Sequence, residues 1–151
     1  VSLAKVIDEL VVEVGVLASP HGIRVVSDFD KDSTLRVFAD PGHIRQIIRN
    51  LLTNAVKFSR QDGEVNVGVK TIKNKVVISV SDSGVGIPLE DQKSVFTKFY
   101  RANNARKSDT TGSGLGLYIA KSYTQQAKGR IWFESKEGEG TTFYVELPAK
   151  K

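Results

Sequence analysis

Two pairs of strand-like segments in this chain are joined by too few residues to cross from one end of a sheet to the other. Residues 64–72 and 75–82 are separated only by Lys73-Asn74, and residues 131–135 and 141–147 only by the segment 136–140. A parallel crossover needs roughly a dozen residues or more, so each pair forms an antiparallel hairpin. Segments 23–29 and 35–38 add two further strands, the first with Ile23 and Val25 on one side and Arg24 and Val26 on the other. Around these lie helical patterns. In residues 1–19, Leu3, Val6, Ile7, Leu10, Val14 and Leu17 recur at three- and four-residue steps until Pro20 stops them. Asp40 is placed to cap a long helix that has Pro41 at its first position and runs to about Ser59. A short helix is predicted over 89–95 and another over 115–126, with a polar, glycine-containing loop over 101–114 between them. The order α β β α β β α α β β predicts a two-layer α/β (α+β) sandwich, with helices on one face of a mixed, mostly antiparallel sheet.

At 151 residues the chain is the size of one domain and long enough to bury a core. It contains no Cys, which excludes disulfides, Cys-based zinc sites and thiol catalysis. No run approaches the ~18 apolar residues of a membrane span, and no signal peptide is visible. The chain opens on Val and holds no Met, as expected of a piece of a longer protein. Its net charge of +5 is scattered, with basic residues beside acids as in Glu134-Ser135-Lys136-Glu137. That pattern fits a solvated surface with a few cations aimed at an anionic ligand, not a nucleic-acid stripe.

Residues 50–58, Asn-Leu-Leu-Thr-Asn-Ala-Val-Lys-Phe, carry the most chemistry. At about 100° per residue, Asn50, Asn54 and Lys57 share a stripe about 60° wide on the long helix. Leu51, Leu52, Ala55 and Val56 form the wall behind it. Amide oxygens suit a hard cation that keeps some of its water, and a lysine suits a phosphate; on its own the stripe also fits a solvated amphipathic face. Asp82-Ser83-Gly84-Val85-Gly86-Ile87-Pro88 and Gly112-Ser113-Gly114-Leu115-Gly116-Leu117 are glycine segments that let backbone approach a ligand, the second at a helix start. Neither is a Walker loop or a dinucleotide fingerprint, and eukaryotic-type kinase signatures are absent.

Asparagine stripe, Asp-x-Gly-x-Gly and Gly-x-Gly-x-Gly, in that order, resemble the catalytic ATP-binding domain of bacterial sensor histidine kinases, in the GHKL ATPase superfamily with its Bergerat fold. Residues 50–58 resemble the N box and 82–88 the first glycine box. Val95-Phe96-Thr97-Lys98-Phe99-Tyr100-Arg101 resembles the F box and 111–117 the second glycine box. Gly138-Glu139-Gly140-Thr141-Thr142-Phe143 resembles the family's closing hairpin. The resemblance covers nearly the whole chain, 1–151, as one domain.

The resemblance implies specific roles. Asn54 coordinates the Mg²⁺ that bridges the ATP phosphates, and Asn50 helps orient the metal or its water. Lys57 contacts a phosphate oxygen, and Phe58 lines the base pocket or packs in the core. Asp82 accepts a hydrogen bond from the adenine amino group above a floor of Gly84, Gly86 and Ile87. Phe96, Phe99 and Tyr100 anchor a mobile ATP lid, and Arg101 reaches the phosphates or a partner domain. Gly112, Ser113, Gly114, Leu115, Gly116 and Leu117 fold the lid's end over the triphosphate, and Thr142 touches the base through a water. His21 and His43 read as surface residues, not as the phosphoacceptor. Ala127-Lys128-Gly129 stands where relatives carry His-Gly-Gly, which puts that turn's geometry in question.

The implied reaction is transfer of the γ-phosphate of ATP to a histidine on a separate dimerisation domain, which lies upstream in the parent. Response-regulator signalling then follows. Implied too are a homodimeric parent in the bacterial inner membrane, with this domain cytoplasmic and monomeric when isolated. Alternatives are a hydrolysing GHKL ATPase, an anti-sigma serine kinase, or a non-catalytic nucleotide-binding docking module. Hydrolysing relatives carry Glu where this chain has Asn50, and Asn cannot act as a base.

Overall fold

The computed structural model describes residues 2–29, 35–98 and 115–149. Three α-helices are present among them: α1 (Leu3–Ala18), α2 (Pro41–Phe58) and α3 (Gly116–Gln126). The strands are β1 (Arg24–Asp28), β2 (Glu64–Ile72), β3 (Lys75–Asp82), β4 (Arg130–Lys136) and β5 (Gly140–Pro148). They form one sheet in the order β1-β2-β3-β5-β4. Both hairpins form as their short connections require, and β3 pairs antiparallel with β5. β1 pairs parallel with β2, because the connection between them contains α2 and is long enough for a crossover.

Alternation gives the sheet two unlike faces. Val67, Val80, Phe143 and Phe133 lie in one row across β2, β3, β5 and β4, and the first three are fully buried. The next row, Gly68, Ser79, Tyr144 and Trp132, belongs to the other face, where Trp132 and Tyr144 stack at 5.2 Å and Arg130 lies over Trp132. α2 buries Ile44, Ile47, Ile48, Leu51, Leu52 and Ala55 in the core. At about 25 cal/mol per Å² of apolar surface, such side chains contribute ~2 kcal/mol each and fix which face of α2 turns outward. Asp40 caps α2 as predicted, its carboxylate accepting from the N–H groups of Gly42 at 2.8 Å and His43 at 3.1 Å.

Four expectations are corrected. Segment 35–38 makes only isolated bridges, Ser2 with Arg36 and Val37 with Ala149. The segment Leu89–Ser94 is a 3-10 helix. Leu17 is 61% exposed, since the buried stripe of α1 continues from Val14 to Ala18. His43 is half-buried, its ring stacked on Tyr123 at 3.9 Å.

Candidate nucleotide site

α2 joins the two glycine segments. Near its middle, the Asn50 amide nitrogen donates to the Gly116 carbonyl at the start of α3 (2.9 Å). The Asn50 oxygen accepts from the Gln46 amide (2.7 Å), so both ends of this amide are committed to protein. At the end of α2, the Phe58 carbonyl accepts from Val85 N–H in the first glycine segment (3.2 Å). A Cβ on Gly84 would lie 1.9 Å from that carbonyl oxygen, so only glycine permits the approach. Gly86 has φ +71°, and a Cβ there would lie 2.3 Å from the Lys136 carbonyl. Phe58 and Ile87 are buried beside this joint.

Asn54 differs from Asn50. Its amide nitrogen is buried and has no hydrogen-bond partner among the described residues. An unpaired buried amide costs about 1–3 kcal/mol, and a half-turn of the terminal torsion presents oxygen in place of nitrogen. Lys57, one turn on, is half-buried, and among the described residues its ammonium makes no ion pair or hydrogen bond. Together they offer a neutral oxygen ligand and a point charge on one helical stripe. No group of three His, Cys, Asp or Glu gathers among the described residues. A cation held on this stripe would leave coordination positions for phosphate and water.

Asp82 ends β3 with its side chain on the buried face, 8% exposed. Burial raises its pKa from 3.8 to about 6, against the opposing pull of backbone N–H groups of Gly84 and Thr141. The Gly84 N–H donates to Oδ1 at 2.9 Å. A buried carboxylate that accepts from two backbone N–H groups still has lone pairs with which to accept from a ligand's N–H.

Thr142 lines the same open cavity as Asp82 and Thr141. It pairs with Ser81 on the outer face, and the two hydroxyls lie 2.9 Å apart. Thr141, which the sequence reading passed over, is opposite Asp82 and only 4% exposed. Strict alternation along 140–148 was the available signal. Leu117 is buried and Leu115 half-buried at the start of α3. Phe96 packs edge-on against Phe133 (5.8 Å) and Phe143 (6.1 Å). Phe99, Tyr100, Arg101, Gly112, Ser113 and Gly114 lie outside the described residues.

A helix offering an amide unpaired among the described residues and a cation, tied at one end to the glycine segment that follows a buried strand-end Asp and midway to a second glycine segment, defines a nucleotide-binding α/β sandwich. Residues 39–151 match the family model described as histidine kinase-, DNA gyrase B- and HSP90-like ATPase, and the chain belongs to that family, whose ATPase domain binds ATP. It is 38% identical over 127 residues to the sensor protein kinase WalK of Staphylococcus aureus, covering 83% of this chain and 30% of that protein. The chain thus spans under a third of that relative's length. A mycobacterial sensor histidine kinase, MprB, superposes with a TM-score of 0.87 at 28% identity, covering 99% of this chain and 97% of that one. The catalytic domain of histidine kinase ThkA superposes at 0.83 with 30% identity, covering 98% and 93%. ThkA has also been solved in complex with the response regulator protein TrrA. No helix among the described residues is long and apolar enough to cross a membrane.

Proposed function

We propose that this chain is the Mg²⁺- and ATP-holding half of a histidine phosphotransfer enzyme. The observation that carries the reading is the contrast between two asparagines on one helix. Asn50 is spent on holding α3 and Gln46, whereas the buried amide end of Asn54 has no partner among the described residues. Asn54 is then the metal ligand, and Asn50 fixes the start of the segment that includes Gly116 and Leu117. When bound, Mg²⁺ neutralises charge on the phosphate oxygens.

The chain's own residues do the rest. Lys57 meets a phosphate oxygen as a point charge. Asp82 accepts from the exocyclic amine of adenine, which excludes guanine because guanine presents a carbonyl there. Phe58, Gly84, Gly86 and Ile87 form the wall and floor against the base. Arg101 reaches the phosphates or the acceptor domain, Phe99 and Tyr100 anchor one end of the lid, and Gly112, Ser113 and Gly114 serve its other end. Phosphoryl transfer asks for positioning and charge stabilisation and not for a covalent group on the protein. Neither asparagine can deprotonate water, so position 50 supplies no carboxylate base for hydrolysis.

The acceptor is a histidine on a dimerisation domain of the same, homodimeric parent, and a response regulator follows; the ThkA–TrrA complex supports a response regulator as a partner. The parent sits in the inner membrane with this domain on the cytoplasmic side, monomeric when isolated. Asn54→Ala is the direct test. Mg-ATP binding should be lost by calorimetry while circular dichroism is unchanged, and unchanged affinity refutes the assignment.

A further inference from the structure

Ser135, on β4 and outside every motif, ties together the segments that border Asp82. Its hydroxyl accepts from the backbone N–H of Ile87 at 2.8 Å. It lies 3.1 Å from the Gly140 carbonyl and 2.7 Å from the Thr141 hydroxyl. A hydroxyl has one hydrogen and two lone pairs. Donation to the Gly140 carbonyl, with acceptance from Ile87 and Thr141, satisfies all three. The Gln92 amide braces the same joint, donating to the Ile87 carbonyl at 3.1 Å and the Ser135 carbonyl at 3.3 Å.

The two backbone N–H groups that oppose the raised pKa of Asp82 belong to Gly84 and Thr141. Gly84 lies in the loop whose far end, Ile87, is held by Ser135, and Thr141 is held by Ser135 through its side chain. One hydroxyl therefore fixes both segments that aim the carboxylate. We infer that Ser135 is a positioning residue for adenine recognition, acting through the 84–87 loop and Thr141 and without touching the base. The inference rests on the reading that Asp82 meets the adenine amino group.

The test compares, with excess Mg²⁺, affinities for ATP and for purine riboside triphosphate, which lacks the 6-amino group. The wild type should prefer ATP by about tenfold or more, the scale of a hydrogen bond to a charged group. In Ser135→Ala that preference should shrink by about fivefold while affinity for purine riboside triphosphate stays within about twofold. Ser135→Thr, which keeps the hydroxyl, should restore the preference. Should Ser135→Ala fail to fold, Ser135→Cys fills the site with a slightly larger, weaker hydrogen-bonding group and carries the same expectation. An equal loss for both nucleotides, or no change, overturns the positioning role. A wild type that does not distinguish the two nucleotides overturns the Asp82 reading, and this inference with it.

Discussion

Replacing Asp82 by Asn should stabilise the protein and remove its hold on adenine at the same time. Burial lifts this carboxyl from 3.8 to about 6, and at 1.36 kcal/mol per pKa unit the ionised form costs the folded state about 3 kcal/mol. A folded-state pKa above the unfolded value gives a stability contribution fully present below pH 3.8. It is lost as pH rises through about 6 and stays lost above that. The amide of Asp82→Asn keeps an oxygen for the Gly84 N–H and carries no charge at any pH. The variant should therefore exceed the wild type by about 3 kcal/mol at pH 8, and the gap should narrow by about 2 kcal/mol at pH 4.5. Urea unfolding of both proteins at the two pH values measures this, since other carboxylates cancel in the difference. In parallel, the new N–H₂ faces the adenine amine as donor to donor, and ATP affinity should fall by about tenfold or more. A variant no more stable than the wild type at pH 8, with a gap flat in pH, refutes the burial argument.

Three other outcomes follow from the same geometry. ATP affinity of the wild type should decline below pH 6, where Asp82 takes up its proton, and binding at that pH should release protons to the buffer in calorimetry. Gly84→Ala should abolish ATP binding and lower the melting temperature, because its methyl would meet the Phe58 carbonyl; retained binding would refute the close approach. Lys128 has φ +61° at the turn after α3, and a left-handed non-glycine residue costs about 1 kcal/mol. Lys128→Gly should therefore stabilise by up to about 1 kcal/mol in urea unfolding, offset in part by glycine's unfolded-state entropy.

The hairpins and α2 were legible because local rules decide them. A two-residue connection leaves no other pairing, and Asp40-Pro41 followed by an apolar periodicity leaves little doubt about where α2 begins. The 35–38 segment was not legible, because β-branched and aromatic residues look alike in a strand and in a segment held by single bridges. Leu17 was misplaced because a three-residue step and a four-residue step both suit a helix, and only packing chooses Ala18. At the site, Asn54 and Lys57 share a stripe by helical geometry alone. The difference between Asn50 and Asn54 depends on which amide α3 covers, a tertiary fact. The burial of Thr141 opposite Asp82 was within reach, since period-two alternation from Phe143 puts Thr141 on the buried face. Ser135 was out of reach, because its role rests on a loop and a strand that are distant in sequence.

Phosphoryl donation to a histidine outside this chain is tested most directly by one labelling experiment. The chain is incubated with Mg²⁺ and γ-labelled ATP, alone and with a dimerisation domain that carries an acceptor histidine. Acid-labile label should appear on the histidine of the added domain, and none on His21 or His43. Label on either of those two residues, or release of phosphate to water without transfer, would contradict it.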